Sequence, residues 1–152
     1  MVDRDRTSFE IGQLVKETQS VLRTRMDDVL RPLGLTMPQF VCLSTLLEHP
    51  GTTSSELARR GFVTRQTLSV LMKGLVERGL VVRAEQPGPR RELTVRPTES
   101  ARELVDTARG SVAAVAVAMT RHLDARQAEA LRDALVSCRD ALLEADAHRP
   151  EA

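Results

Sequence analysis

Apolar side chains recur at three- and four-residue spacing along most of this chain, and the places where that rhythm stops mark the ends of helices. Ile11, Leu14, Val15, Thr18, Val21, Leu22, Met26, Val29 and Leu30 trace one face of a long first helix that reaches about Arg31. Thr7 with Glu10 supplies a capping-box pattern at its start, and Pro32 and Gly34 end it. A second helix opens on Thr36 and Gln39, carries the apolar stripe Phe40, Leu43 and Leu47, with Cys42 between that stripe and Leu46, and runs to about Glu48 before His49-Pro50-Gly51 breaks it. Towards the other end, Thr98 caps a helix through Ala101, Leu104, Val105, Ala108, Val112, Val115, Met119 and Leu123. Asp124 with Gln127 then opens a last helix, in which Ala128, Leu131, Leu135, Cys138, Leu142 and Ala145 form a heptad-like seam.

Between these long stretches lie two short ones. Thr53 with Glu56 is a further capping box, in which hydroxyl and carboxylate each satisfy an orphan N–H of the first turn; Gly61 is expected to close that helix in the left-handed conformation. Thr64 is a good N-cap for the next helix, where Leu68, Leu71, Met72, Leu75 and Val76 have the spacing of one buried face and Gly79 is the stop. At about 100° per residue, that burial leaves Gln66, Thr67, Ser69, Val70 and Lys73 on or beside the open face, with Arg65 in the first turn. Side chains so placed reach base edges or phosphates when the helix enters a major groove. After Gly79, residues 80–83 and 92–96 are β-prone runs joined by Gln86-Pro87-Gly88-Pro89-Arg90-Arg91, a hairpin whose tip carries Arg90 and Arg91. Two short helices meeting at a glycine are a weak helix-turn-helix signal, because any helical pair shows apolar spacing. Followed at once by a basic-tipped hairpin, they make a winged helix, a far more specific combination.

Charge sharpens this reading. The chain of 152 residues has 22 Lys and Arg against 21 Asp and Glu, a net charge of only +1, which lacks the basic footprint of a nucleic-acid binder. Residues 52–97, however, hold nine basic against four acidic residues, net +5, and the remainder thirteen against seventeen, net −4. Positive charge is therefore concentrated where phosphates would lie, and the acidic flanks would avoid the duplex. No apolar run approaches the roughly 20 residues that span a bilayer, and the first residues do not read as a signal peptide. Two cysteines are no disulfide framework. The expectation is a cytoplasmic protein without a membrane partner.

Several runs resemble the MarR (multiple-antibiotic-resistance regulator) family of bacterial transcription factors. They are Leu35-Thr36-Met37-Pro38-Gln39-Phe40, Ser55-Glu56-Leu57-Ala58, Thr64-Arg65-Gln66-Thr67-Leu68-Ser69, Leu75-Val76-Glu77-Arg78-Gly79-Leu80-Val81 and Leu93-Thr94-Val95-Arg96-Pro97-Thr98. The match is close over the central part of the chain, and the flanking helices fit it in pattern. The resemblance implies a mainly α fold with a small β-wing, a winged helix-turn-helix with long terminal dimerisation helices. It places one domain over 1–152, with an N-terminal dimerisation helix at 7–34, the winged helix-turn-helix at 36–97 and C-terminal dimerisation helices at 98–147. It further implies a repressor that binds an inverted-repeat operator in double-stranded DNA as a homodimer, and a small, often aromatic or phenolic, effector held between the dimer helices and the DNA-binding lobe. The DNA-binding set on this reading is Thr64, Arg65, Gln66, Thr67, Ser69, Val70, Lys73, Arg90 and Arg91. One departure stands in the wing: the family usually carries an Asp two residues before an Arg, and this chain has Pro87-Gly88-Pro89-Arg90-Arg91.

The apolar stripes at the two ends support pairing independently. A lone chain would leave Leu14, Val21 and Leu22 of the first helix and Leu131, Leu135 and Leu142 of the last partly uncovered, and a second copy would bury both sets. With no Tyr or Trp and only Phe9, Phe40 and Phe62 as aromatics, an effector pocket would be lined mainly by Leu, Val, Met and Ala; no individual ligand residue stands out.

Catalysis is not expected. His49, His122 and His148 lack metal-ligand spacing with Cys or carboxylates, no glycine loop cradles a phosphate, and neither a metal nor a cofactor is implied. Two alternatives remain open. One is a thiol-based redox regulator using Cys42 or Cys138, although neither has the adjacent basic cluster that lowers a thiol pKa, and both read better as packing residues. The other is a helical dimerisation adaptor that no longer binds DNA, against which stands the polar face from Arg65 to Lys73.

Overall fold

The computed structural model describes residues 2–61, 63–83 and 95–147. Arg90, Arg91 and the rest of the expected hairpin tip lie outside the described residues, as do Phe62 and His148. Among the described residues, six α-helices and two short strands follow in the order α1 (Val2–Leu30), α2 (Met37–Glu48), α3 (Ser54–Arg60), α4 (Arg65–Glu77), β1 (Val81–Arg83), β2 (Val95–Pro97), α5 (Glu99–Thr120) and α6 (Ala125–Ala147). This is the expected mainly α fold with a small sheet. The chain forms two units, Met1–Val115 and Ala116–Ala152.

In the first unit, α1 begins before the expected cap, because residues 2–9 contain no helix breaker. Thr7 therefore lies inside the helix, and an Arg6 to Glu10 ion pair at 3.0 Å spans the next turn. At about 1.5 Å per residue, α1 is roughly 43 Å long. A 3-10 turn, Arg31–Leu33, and Gly34 at φ 65° end it, with the Gly34 N–H donating to the Arg31 carbonyl. The left-handed φ is the conformation glycine adopts at least cost.

Helices α2 and α3 both begin with full capping boxes, Thr36 with Gln39 and Thr53 with Glu56. Gly61 does end α3, but its φ is −80°, an ordinary right-handed value that corrects the left-handed expectation. What Gly61 supplies instead is room: a Cβ there would sit 3.3 Å from the Leu57 carbonyl oxygen. Gly79, after α4, has the left-handed φ of 67°.

Strands β1 and β2 pair antiparallel in the register Val81 with Pro97, Val82 with Arg96 and Arg83 with Val95. Thr98 joins this ribbon to α5: its hydroxyl donates to the Gly79 carbonyl at 2.9 Å and accepts from the Ala101 N–H. One core gathers Leu30, Leu35, Phe40, Leu43, Leu46, Leu57, Leu68, Met72, Leu75, Val81 and Val105, so the end of α1, all of α2–α4, β1 and the start of α5 share it. An ion pair from Arg109 to Glu48 at 2.6 Å fastens α5 to the end of α2.

Helix α5 stops at Thr120 rather than at Leu123, because the Leu123 N–H takes the Thr120 carbonyl in a tight turn and Asp124 starts the next helix. In the second unit, Asp124 and Gln127 exchange side-chain-to-backbone hydrogen bonds at 2.8 and 3.0 Å, capping α6 as the spacing predicts.

Candidate nucleic-acid interface

The site starts from the way α4 is fixed. Leu68, Met72 and Leu75 sit in the core, with Leu71 and Val76 half-buried beside them. The opposite face must then point outward, and it does: Arg65, Gln66, Thr67, Ser69, Val70 and Lys73 are all exposed. Val70 is 70% exposed, a large apolar side chain in solvent on a helix whose other face is fully packed. Among the described residues, no side-chain hydrogen bond or ion pair engages Gln66, Ser69 or Lys73.

The first turn is held more tightly than the rest. Thr64 accepts from the Thr67 N–H at 3.1 Å, and the Thr64 hydroxyl donates to the Thr67 hydroxyl oxygen at 3.0 Å. Thr67 is thus oriented by the cap and retains its own hydroxyl proton for donation. Arg65 turns back to α3, where its guanidinium donates to the Ser55 hydroxyl at 2.8 Å. That bond sets the mutual position of the two helices at their N-terminal ends. Two bonds from the Thr53 N–H and hydroxyl, helped by Arg59 and Arg60, hold the exposed Glu56 carboxyl below the usual carboxylate range, so the α3 cap stays ionised near neutral pH. Arg59 and Arg60 extend the positive edge at the end of α3.

The base of the wing adds two more arginines. Residues directly opposed in an antiparallel pair share a face and neighbours along a strand alternate. Arg83, opposite Val95, and Arg96, opposite Val82, are both exposed and therefore lie on opposite faces of the ribbon. One of them at most can look towards a duplex approached by α4.

Of the expected DNA-binding residues, Thr64 through Lys73 are brought together on one helix; Arg90 and Arg91 fall outside the described residues. Ser55 and Arg78 were not singled out. Arg78, at the C-terminal end of α4, donates to the Gly34 carbonyl, a pairing across 44 positions that no local spacing announces. The expected pairing residues are apolar and uncovered on this chain: Leu14, Val21, Leu131, Leu135 and Leu142 are exposed and Leu22 is half-buried.

The cysteines part company. Cys42 is buried with its sulfur 3.5 Å from that of Met72, and burial pushes its thiol up to about 12. Cys138 is exposed on α6 of the single chain, in the same uncovered stripe as Leu135 and Leu142. Among the described residues, no group of three or more His, Cys, Asp or Glu could hold a metal ion, and no helix is long and apolar enough to cross a membrane.

Comparison with known proteins points the same way. A family model described as MarR family matches residues 33–92. The HTH-type transcriptional repressor Rv2887 of Mycobacterium tuberculosis is 36% identical over 117 residues, 77% of this chain and 84% of that protein. Its crystal structure in complex with DNA has a TM-score of 0.66 and 31% identity, covering 84% of this chain and 95% of that one. Its complex with salicylic acid has a TM-score of 0.67 and 34% identity, covering 84% and 94%.

Proposed function

This chain belongs to the MarR family of transcriptional regulators, and from that premise we propose that it is a repressor that reads an inverted-repeat operator in double-stranded DNA as a homodimer. The open face of α4 carries the reading: Gln66, Ser69, Val70 and Lys73 are exposed and unengaged on a helix whose other face is locked in the core. Two-fold symmetry in the protein calls for half-sites about one helical turn apart. The terminal helices would supply the pairing, through Leu14, Val21 and Leu22 of α1 and Leu131, Leu135 and Leu142 of α6, with the winged helix-turn-helix over 36–97. A relative solved with both DNA and salicylic acid supports a small aromatic or phenolic acid as effector, altering the spacing of the two recognition helices. Burial of Cys42 stands against that residue as a redox trigger, since the reactive form is the thiolate.

The test is enrichment of a bound duplex from a randomised pool, followed by fluorescence anisotropy on that duplex and on random DNA. Gln66→Ala should cost roughly 1–3 kcal/mol on the selected duplex and little on random DNA. Lys73→Ala should weaken both and flatten the log K against log salt slope by about 0.9. Arg90→Ala should hurt operators with A·T-rich flanks more than G·C-rich ones if that wing arginine enters the minor groove. Equal losses on the two duplexes would remove Gln66 from base reading, and no enrichment at all would leave the adaptor reading in place.

A further inference from the structure

The end of the recognition helix is fastened to the end of the longest helix by a single arginine. Arg78 is the C-cap residue of α4, and its N–H closes the last turn on the Gly74 carbonyl at 3.1 Å. Its guanidinium leaves the helix and donates to the carbonyl of Gly34, in the turn that ends α1. The approach is close from both sides. Gly34 stands at φ 65°, and a Cβ there would come within 3.0 Å of the second guanidinium nitrogen. Gly34 is itself held by its bond to the Arg31 carbonyl, between Leu30 and Leu35, both in the core. On the other side, Gly79 follows Arg78 directly, and its carbonyl accepts from the Thr98 hydroxyl at 2.9 Å, where α5 begins. Three helix ends, those of α1, α4 and α5, thus meet at Gly34, Arg78, Gly79 and Thr98.

This corner complements the bond from Arg65 to Ser55. One guanidinium fixes the front of α4 against α3, and the other fixes its back against α1. The core holds the inner face of α4 along its length, and the two guanidinium bonds add a polar, directional contact at each end, where a small tilt displaces base-reading side chains by more than a hydrogen bond tolerates.

We infer that Arg78 is a positioning residue for DNA reading: through its bond to Gly34 it sets the angle at which α4 presents Gln66, Ser69 and Lys73, without touching DNA itself. Any movement of the α1 end would reach the recognition helix through the same bond. The inference rests on the DNA-reading proposal above and is tested so that the two can fail separately.

The measurement uses the full chain, with the selected duplex and random DNA as probes, and circular dichroism to verify folding. Arg78→Met keeps the aliphatic stem and removes the donors. It should lower the ratio of specific to random affinity roughly tenfold, the worth of a charge-assisted hydrogen bond expressed as a ratio. Random affinity and the salt slope should not change. Gly34→Ala strains the left-handed backbone and crowds the guanidinium, and should lower the ratio too, with most of that loss shared with Arg78→Met rather than added to it. Arg78→Lys keeps the charge that complements the helix end but not the planar fork, and should lose part of the ratio; it also carries the test should Arg78→Met fail to fold. A ratio unchanged in Arg78→Met overturns the inference, as does a fall in salt slope, which would make Arg78 a phosphate contact. An Arg78→Gln protein, uncharged but still able to donate, that loses as much of the ratio as Arg78→Met would assign the effect to helix-end charge and overturn it as well. Failure of the wild type to enrich any sequence sinks the DNA-reading proposal and this inference with it; discrimination retained equally by wild type and Arg78→Met sinks this inference alone.

Discussion

The middle of this protein and its ends follow the same hydrophobic rhythm to opposite outcomes. On α2 and α4 the predicted inward positions are buried or half-buried, Leu43 and Leu75 completely. On α1 and α6 the equally regular stripes stand in solvent: Leu14, Val21, Leu131 and Leu142 are all exposed, and only Met26 and Leu30 at the end of α1 are buried. Periodicity reports which face of a helix is apolar, while what covers that face depends on elements elsewhere in the chain or on another molecule. In the middle, the covering elements are neighbours in sequence. At the ends, apolar side chains at helical spacing are left uncovered on the single chain.

The strongest way to break this contrast is to charge the uncovered stripe. Leu135→Asp leaves the single chain's packing almost untouched, because Leu135 is already exposed there. If a second copy covers α6, the same change buries an unpaired carboxylate twice in one two-fold interface, at a cost of several kcal/mol. Light scattering should then show monomer, and specific DNA affinity should collapse although α4 is intact, since one recognition helix cannot hold a two-half-site operator. A Leu135→Asp protein that stays a tight-binding dimer would place the interface elsewhere.

The matching experiment in the middle has the reverse signature. Leu43 is fully buried among the helices of the core. Leu43→Ala should destabilise the fold by about 2–5 kcal/mol, the transfer of the lost methyl groups plus the cavity left behind. Thermal melting should register the loss, with oligomeric state unchanged wherever the protein remains folded. Dissociation without loss of melting temperature would contradict the division between core and interface drawn above.

What could be read in advance divides along the same line. Thr36, Thr53, Thr64, Thr98 and Asp124 all cap helices as their spacing predicts, because a cap is a local bargain between a side chain and backbone groups three residues away. The outward set from Arg65 to Lys73 follows from the inward one by helical geometry alone. Thr7 misled because residues 2–6 also favour helix, so the pattern marks a compatible start and not the actual one. Gly61 misled because a glycine can answer to crowding as well as to φ, and here the Leu57 carbonyl supplies the crowding. The ties from Arg65 to Ser55, Arg78 to Gly34 and Arg109 to Glu48 were illegible, since they join helices whose relative position the pattern does not encode. Cys138 lies in the same stripe as Leu135 and Leu142 and shares their exposure on the single chain.

A smaller effect separates local order from reading. Thr64→Ala and Asp124→Ala each remove one N-cap, worth typically about 1 kcal/mol. The two should lose similar helix stability, but if the open face of α4 reads DNA, only Thr64→Ala should also reduce discrimination between specific and random DNA, because the Thr64 hydroxyl orients Thr67 on that face. Anisotropy on both duplexes checks this. An equal loss of discrimination in Asp124→Ala would mean that α6 order reaches α4.

The smallest effect concerns the thiols, which probe the same contrast at single positions. Burial raises the Cys42 thiol from its ordinary 9.0 to about 12. Its raised value means that burial favours the neutral form, so its contribution to stability is complete below about pH 9 and is lost as pH rises from 9 towards 12. At neutral pH both states are protonated, and the group adds no pH dependence to folding. A disulfide reagent at pH 8 should leave Cys42 unmodified until denaturant is added, and peroxide at low excess should not release DNA through it. Cys138 reads the other region. It lies between Leu135 and Leu142 on α6 and is exposed in the single chain, so its labelling should be slow at high protein concentration and accelerate on dilution if a second copy covers that stripe. A labelling rate that is independent of concentration and equal to that of the unfolded chain would show Cys138 uncovered in the assembled protein, and would take the α6 seam out of the interface whatever holds the dimer together.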